Sequence, residues 1–238
     1  MELDVLWHDL ECGSYCEDLA LWQKLADERG GPVLDVGAGT GRVALALAAR
    51  GLAVVALDVE AALLDALEQR ASGLSVETVV ADAREFALNR RFPLVLVPMQ
   101  TLQLLGGQSG RAAFLRCALE HLEPGGLLVA ALADAMDCFD EDHALPPPPD
   151  ACEIGGVRYA SHMLAVTEEG GQAVICRLRE VAGPRERRLS EAIVRLDRVS
   201  AREVAAEARA VGFLIEPDRS IEATDEYLGT TVVVLRAP

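Results

Sequence analysis

The sequence contains a single lysine, Lys24, and its 22 basic residues are outnumbered by 38 acidic ones, which gives a formal net charge of −16. Phosphate backbones are bound by basic surfaces, and an acidic field repels them. The same argument applies to membranes rich in anionic lipid. The arginines between residues 177 and 209 alternate with acidic residues, which indicates a solvated surface of ion pairs. We therefore expect neither nucleic acid nor a membrane as the partner.

Long apolar runs and targeting signals are also missing. No uninterrupted apolar stretch approaches the roughly 20 residues of a membrane helix, and the first residues lack the basic and apolar regions of a signal peptide. The six cysteines include no CxxC pair, and the spacing of His8, Cys12 and Cys16 matches no usual zinc pattern. We expect a cytoplasmic protein with free thiols and without a metal site.

Short apolar segments alternate with helical segments between residues 33 and 132. Strands are predicted at 33–36, 53–57, 75–80, 94–97 and 127–132, and helices at 42–50, 61–70 and 110–121. Strands that are apolar on both faces and alternate with helices indicate a parallel sheet covered on both sides. With closing strands at 213–217 and 231–236, the pattern predicts an α/β fold with a doubly wound, mostly parallel seven-stranded sheet.

Two further regions depart from this alternation. A helix is predicted at 15–29, with Ser14 and Glu17 as its capping box. After an acidic, proline-rich loop at 138–152, strands at 157–167, 172–181 and 189–199 predict a three-stranded antiparallel layer, and a second capping box at Ser200 and Glu203 begins a helix. The predicted domains are 1–31, then 32–136 together with 200–238, and an inserted layer at 137–199 after the fifth strand.

The sharpest local motif is Val33-Leu-Asp-Val-Gly-Ala-Gly-Thr-Gly41, a strand that leads into a glycine-rich turn and a helix. Glycines allow a ligand to approach the backbone closely, and ligands of open α/β sheets bind beyond the carboxyl ends of the strands. A dinucleotide fingerprint would need glycine at position 42, where this chain has Arg42. A phosphate-binding P-loop would need a lysine after the turn, and none follows.

Acidic residues follow the next two strands. Asp58 ends the second strand about 20 residues after the turn, where a carboxylate can accept hydrogen bonds from ribose hydroxyls. Asp82 follows the third strand. Such features at the ends of three consecutive strands favour one ligand site over unrelated solvated loops.

These motifs, together with Leu122-Glu-Pro-Gly-Gly126, resemble class I S-adenosylmethionine-dependent methyltransferases over residues 32–132. The resemblance implies that S-adenosyl-L-methionine is the cofactor. It also implies that the turn passes under the methionine part, that Asp58 holds the ribose and that Asp82 bonds the adenine amine. Residues 97–101 would line the sulfonium and the acceptor. The cofactor-binding residues implied in this way are Tyr15, Asp35, Gly37, Ala38, Gly39, Asp58, Val59, Asp82, Ala83, Pro98 and Met99.

The antiparallel layer resembles the lid of small-molecule methyltransferases, including glycine-type and amino-sugar N-methyltransferases. By that resemblance, residues 1–31 would form a helical cap over the cofactor and residues 137–199 a lid over the acceptor. Methyl transfer is an in-line displacement that needs alignment and exclusion of water, and it needs a general base only when the nucleophile must lose a proton early. The catalytic candidates are Gln100, Gln103 and His162. Tyr15, Asp134 and Tyr227 are further acceptor-side candidates.

The function predicted in this way is transfer of a methyl group to a nitrogen or oxygen of a small-molecule acceptor. The alternative is a non-catalytic protein that binds S-adenosylmethionine or S-adenosylhomocysteine and carries a regulatory or partner-binding lid. A nicotinamide dehydrogenase is disfavoured by Arg42. An exposed antiparallel sheet could also pair edge to edge, which predicts a homodimer through the lid.

Overall fold

The computed structural model describes residues 3–133, 138–139, 147–224, 227 and 229–238. The chain divides into two compact units. One unit consists of Tyr15–Ala135 and Val199–Pro238, and the other of Met1–Ser14 and Met136–Arg198. We call them the α/β unit and the antiparallel unit.

The helices and strands are numbered in chain order. The helices are α1 (Leu3–Cys12), α2 (Leu19–Arg29), α3 (Arg42–Ala48), α4 (Ala61–Arg70), α5 (Gly107–Glu120) and α6 (Ala201–Val211), with a 3-10 helix at Thr101–Leu104. The strands are β1 (Val33–Val36), β2 (Val54–Asp58), β3 (Val76–Val80), β4 (Phe92–Val97), β5 (Leu122–Leu132), β6 (Asp150–Ile154), β7 (Val157–Glu169), β8 (Gln172–Ala182), β9 (Arg187–Asp197), β10 (Leu214–Ile215), β11 (Arg219–Ile221) and β12 (Thr230–Arg236).

The sheet of the α/β unit has the order β10-β12-β5-β4-β1-β2-β3. The strands from β5 to β3 in this order are parallel, and β12 and β10 are antiparallel to their neighbours. The predicted fold class, a doubly wound and mostly parallel sheet, is therefore confirmed. The short strand β11 pairs with β12 as an eighth strand that the sequence analysis did not predict.

Both faces of this sheet are covered because its central strands are apolar on both sides. Leu34 packs with Phe114 of α5 and Val204 of α6 on one face, while Val33 packs with Trp22 of α2 on the other. All of these side chains are fully buried. Complete burial stabilises the fold by about 1.5–3 kcal/mol for an aliphatic or phenylalanine side chain. The two apolar layers hold β1, β2 and β4 in the centre of the unit.

The antiparallel unit is built on a four-stranded sheet with the order β6-β7-β8-β9. Glu11 of α1 accepts hydrogen bonds from Nε and Nη2 of Arg179 on β8 and from Oγ of Ser161 on β7. The guanidinium of Arg179 also lies over the ring of Trp7, 5.4 Å from its centroid. A helix thus packs on the sheet through a half-buried ion pair as well as through apolar contact.

The amino-terminal end differs in part from the prediction. Helix α1 was not predicted, and the helix predicted at 15–29 begins only at Leu19, with Asp18 as its N-cap residue. Ser14 is therefore not the N-cap residue of this helix. The Asp18 side chain does not cap the helix either, because its carboxylate binds the guanidinium of Arg42.

The region after β5 also differs from the prediction, whereas the second capping box is confirmed. Part of the predicted loop at 138–152 forms β6, so the antiparallel sheet has four strands instead of three. Ser200 and Glu203 form the predicted reciprocal cap of α6. Within the described residues, no helix is long and apolar enough to cross a membrane.

Candidate active site

The carboxyl ends of β1, β2 and β3 bring the glycine-rich turn and Asp58 together. Oδ2 of Asp58 accepts a hydrogen bond from the N–H of Gly39 at 2.8 Å, and Oδ1 accepts one from the N–H of Glu60 at 3.0 Å. The carbonyl of Asp58 accepts the N–H of Ala81 at 3.0 Å. One residue therefore connects the turn after β1 with the segment after β3, as parallel strands with adjacent carboxyl ends allow.

The glycines of the turn are required by neighbouring side chains. Gly37 has a φ of 73° and Gly41 a φ of 95°, which L-residues with a side chain rarely adopt. A Cβ at Gly37 would overlap the side chain of Thr101, and one at Gly41 would overlap Leu67. The N–H of Gly37 donates to the carbonyl of Leu57 at 2.8 Å. Internal packing thus fixes the turn close to β2 and to the segment after β4.

A buried group of charges lies beside the turn. Asp35 is 1% exposed, and among the described residues no donor makes a well-formed hydrogen bond to either carboxylate oxygen. Burial raises its pKa from 3.8 to about 7, an effect that the charge of Arg42 and the nearby N–H of Ala44 oppose only in part. Asp35 is therefore a carboxyl group whose charge is costly at neutral pH.

Arg42 connects the start of α3 to the segment before α2. Its Nη2 donates to Oδ2 of Asp18 at 2.7 Å, and its Nη1 donates to the carbonyl of Tyr15 at 2.9 Å. The guanidinium also lies over the Tyr15 ring, whose edge contacts Tyr227 with 4.9 Å between ring centroids. The burial of Tyr15, followed by the charge of Asp18, raises the pKa of the phenol. Tyr15 thus packs beside the glycine-rich turn, although it does not begin a helix.

Asp82 is paired within its own loop. Its Oδ1 accepts the backbone N–H of Arg84 at 2.8 Å and Nε of Arg84 at 2.9 Å, while Oδ2 accepts Nε at 3.1 Å and Nη2 at 2.5 Å. Hydrogen bonds from the Arg84 side chain and backbone lower the pKa of Asp82 to about 2. A carboxylate offers about four acceptor sites, so Arg84 occupies those of Asp82.

The segment after β4 contains a strained residue. Met99 has a φ of 54°, the one positive value among the described residues other than glycine. Such a conformation costs about 1–3 kcal/mol and persists only where the surroundings enforce it. Here Oγ1 of Thr101 donates to the carbonyl of Pro98 at 3.1 Å, and the same side chain packs beside Gly37. The ends of β4 and β1 are thereby joined.

The segment that carries the glycine-rich turn is similar to known proteins. Residues 33–126, which contain the turn, Asp58 and Asp82, match a family described as a methyltransferase domain. This segment is thus similar to a methyltransferase domain. A cypemycin N-terminal methyltransferase from a Streptomyces species is 33% identical over 144 residues, which cover 60% of this chain and 56% of that protein. The match thus spans a little over half of the relative's length.

Two solved structures share the fold of the whole chain. An amino pentose methyltransferase from Micromonospora echinaspora, with bound S-adenosylmethionine, is 20% identical, with a TM-score of 0.74 over 100% of this chain and 98% of the other. A sugar N-methyltransferase from a Streptoalloteichus species is 19% identical, with a TM-score of 0.77 over 100% of this chain and 94% of the other. At these identities the likeness concerns the fold.

The predicted cofactor residues of the α/β unit differ in how well they suit a ligand. Asp58 is half-buried and accepts two hydrogen bonds through its carboxylate, so acceptor capacity for ribose hydroxyls remains. Val59 is 63% exposed, whereas Ala38, Ala83 and Pro98 are buried. Asp82 can accept an adenine amine only if Arg84 releases part of its carboxylate. The residues thus fit S-adenosylmethionine best at Asp58 and the glycine-rich turn.

Two of the predicted catalytic residues belong to the α/β unit and one to the antiparallel unit. Gln100 is half-buried after β4, while Gln103 is 3% exposed and its Oε1 accepts the N–H of Ala133 at 2.7 Å. This bond gives Gln103 a structural role between the 3-10 helix and β5. His162 belongs to the antiparallel unit, with Nε2 3.5 Å from Oε2 of Glu180. Their catalytic roles stay predictions, and Asp134 lies outside the described residues.

Sequence reasoning missed two contributors to the site. Thr101 was included only in a range, and nothing in its sequence context indicates the contact with Gly37. Arg42 was noted as the residue that replaces a glycine, and its pairing with Asp18 depends on the tertiary fold. Among the described residues, no group of three or more His, Cys, Asp or Glu side chains is arranged to hold a metal ion. None of the six cysteines forms a disulfide.

Proposed function

We propose that the chain binds S-adenosylmethionine at the carboxyl edge of the parallel sheet and transfers its methyl group to a nitrogen of a small molecule or peptide. The observation that carries this proposal is Asp58, whose side chain binds Gly39 while its carbonyl binds Ala81. A ribose held by Asp58 would lie between the glycine-rich turn and the segment after β3. The sulfonium of the bound cofactor supplies an activated methyl group.

The residues of the chain mainly bind and orient. Asp58 accepts hydrogen bonds from the ribose, and the glycine-rich turn, held against Thr101, supports the methionine part. The Pro98–Met99 segment presents its backbone in a conformation that Thr101 helps to fix. Alignment of two reactants in this way can supply much of the acceleration of a displacement reaction.

A nitrogen acceptor is favoured over oxygen by the relatives and by the chemistry. The names of the relatives reported above include an N-terminal methyltransferase acting on cypemycin and a sugar N-methyltransferase. A neutral amine already carries a lone pair and needs orientation, whereas a hydroxyl must lose its proton early to a general base. We therefore propose amino sugars and peptide N-termini as the acceptor classes.

Cofactor binding is tested by thermal unfolding with S-adenosylhomocysteine, S-adenosylmethionine and NAD, each in excess. A ligand at a hundred times its Kd stabilises by about 2.7 kcal/mol, which corresponds to a few degrees in Tm for a chain of this size. We expect a shift with the two sulfur ligands, its loss in Asp58→Ala, and its retention in Asp65→Ala, which removes an exposed carboxylate on α4. A shift with NAD alone would contradict the proposal.

Turnover is tested by mass spectrometry on a panel of amino sugars, short peptides and matched hydroxyl compounds. We expect a mass gain of one methyl group on amines, dependent on Asp58. Binding without transfer to any acceptor would instead support the non-catalytic alternative, and transfer to hydroxyl compounds alone would contradict the assignment to nitrogen.

Two further expectations belong to the same proposal. We infer a cytoplasmic location from the sequence composition, and we infer that two copies of the chain associate through the antiparallel sheet. Fractionation of cells that express the protein tests the location.

A further inference from the structure

We propose that two copies of this chain join strand β9 to strand β9 in antiparallel orientation, with Ile193 of each copy on the twofold axis. The proposal deepens the homodimer inferred above and does not depend on methyl transfer. An inactive protein could still dimerise, and an active protein could be monomeric, so the two proposals fail separately.

Strand β9 is long and lies at an edge. Among the described residues it pairs only with β8, over all eleven of its residues. Two large apolar side chains of β9 are exposed to solvent: Leu189 is 51% exposed and Ile193 is 56% exposed. An exposed edge of this kind offers unpaired N–H and C=O groups to a second strand.

The hydrogen-bond pattern shows which residues face the open edge. The N–H of Arg198 donates to the carbonyl of Gly171 at 2.9 Å, one step beyond the pair Asp197 and Gln172. In an antiparallel ladder, residues bonded to one neighbour alternate with residues whose backbone groups point the other way. The even-numbered residues of β9 therefore bond β8, and Leu189, Glu191, Ile193 and Arg195 direct their backbone groups outward.

Charge then selects one register for self-pairing. With Ile193 opposite Ile193 of the second copy, Glu191 lies opposite Arg195 on both sides of the axis. Centring the pair on Ala192 places Glu191 opposite Ile193 and leaves Arg187 opposite Asp197, which is buried and already accepts a hydrogen bond from Gln172. Centring it on Glu191 places like charges together. Centring it on Val194 places Glu191 opposite Asp197. The first register is thus the one of these four that places two exposed pairs of opposite charge next to an apolar centre.

Glu191 and Arg195 are exposed and available for this contact. Arg195 binds Glu169 of the same chain at 2.9 Å, with both side chains about half exposed. Such a surface pair contributes little and can be exchanged readily. Because a strand-to-strand junction is smaller than a standard interface, we expect a dimer that dissociates on dilution.

Charge reversal tests the register directly by analytical ultracentrifugation. Glu191→Arg and Arg195→Glu each place two like-charge pairs across the junction, and we expect each to raise the dimer Kd by about tenfold or more. An equimolar mixture of the two variants restores opposite charges in a heterodimer, so its Kd should return close to that of the wild type. The double variant should likewise recover. A mixture no tighter than either variant alone would overturn the register.

Disulfide trapping gives an independent test. Residues of a hydrogen-bonded antiparallel pair have Cα atoms about 5.5 Å apart, within the range of a disulfide. Ile193→Cys should therefore form a covalent dimer under mild oxidation. Leu189→Cys, on the same face and similarly exposed, should not exceed the wild-type background from the native cysteines, because Leu189 would face Asp197. Equal trapping of both variants, or a wild type that stays monomeric to about 100 μM, would overturn the proposal.

Discussion

At the scale of single residues, Asp35 has the most unusual surroundings in the α/β unit. Its carboxylate is buried without a well-formed hydrogen bond, and its pKa is raised from 3.8 to about 7. Above pH 4 the unfolded chain releases this proton, while the folded chain retains it up to about pH 7. Unfolding therefore releases a proton in this range, and the contribution of Asp35 to stability falls as pH rises.

Asp35→Asn should remove this pH dependence. At pH 4 the variant and the wild type should have similar free energies of unfolding, while at pH 8 the variant should be more stable by up to about 4 kcal/mol, since one pKa unit corresponds to about 1.4 kcal/mol. Urea unfolding at a series of pH values measures the difference. Asp65→Asn, at an exposed site, should follow the wild-type curve. Parallel curves for Asp35→Asn and the wild type would show that the Asp35 carboxylate is charged, or satisfied, in the folded state.

The pairing of Asp82 with Arg84 leads to a prediction about ligand affinity that rests on the proposed function. Arg84 occupies the acceptor sites that an adenine amine would need, so Arg84→Met should strengthen binding of S-adenosylhomocysteine by about two- to fivefold. Calorimetric titration measures this change. Arg90→Met removes a partly exposed arginine of another ion pair, with Glu77, and controls for net charge. Weaker binding in Arg84→Met alone would mean that Arg84 contacts the ligand.

At the scale of elements, α5 and α6 are joined by a buried ion pair. Nε and Nη2 of Arg111 donate to the two carboxylate oxygens of Glu207 at 2.9 and 2.7 Å, with both side chains less than a tenth exposed. Glu207→Ala leaves the guanidinium buried and should destabilise the unit by about 3–5 kcal/mol in urea unfolding. The double variant Arg111→Met with Glu207→Leu should recover most of this loss. Equal destabilisation in both variants would assign the loss to packing instead.

The burial of each strand explains why some elements were predictable from the sequence. Strands β1, β2 and β4 are buried on both faces, so their sequences are short apolar runs between turn residues. The sequence correctly placed Asp58 at the end of β2, because a strand boundary is a local feature. Strand β6 is mostly exposed, so neither alternation nor an apolar run marks it. Helix α1 does carry apolar residues at helical spacing in Leu3, Leu6, Trp7 and Leu10, a signal that the sequence analysis overlooked.

The contacts that complete the site depend on residues distant in sequence. The sequence analysis predicted that Gly37 allows a ligand to approach the backbone. In the structure, the side chain of Thr101, which follows β4, occupies the space that a Cβ at Gly37 would need. The pairing of Arg42 with Asp18 spans 24 positions, and Asp18 is the residue before the observed helix start. Neither pair follows from composition or periodicity, since both need the sheet order to be known.

At the scale of the whole molecule, the excess of acidic residues should make stability depend on salt. With a net charge of −16, the acidic side chains repel one another more strongly in the compact folded state than in the unfolded chain. The screening length falls from about 30 Å at ~0.01 M salt to about 8 Å at ~0.15 M, so this repulsion weakens over molecular dimensions. Surface ion pairs such as Arg50 with Asp27 are weakened as well, but each contributes little. The net repulsion should therefore dominate the response.

We expect Tm to rise by a few degrees over this range of salt at pH 7.5, measured by scanning calorimetry. Sodium and potassium chloride should act alike, because screening depends on ionic strength. The effect should shrink as pH approaches 4.6, where the net charge of the chain vanishes. A fall in Tm with salt at pH 7.5 would show that ion pairs, and not the overall charge, govern the electrostatic stability of the protein.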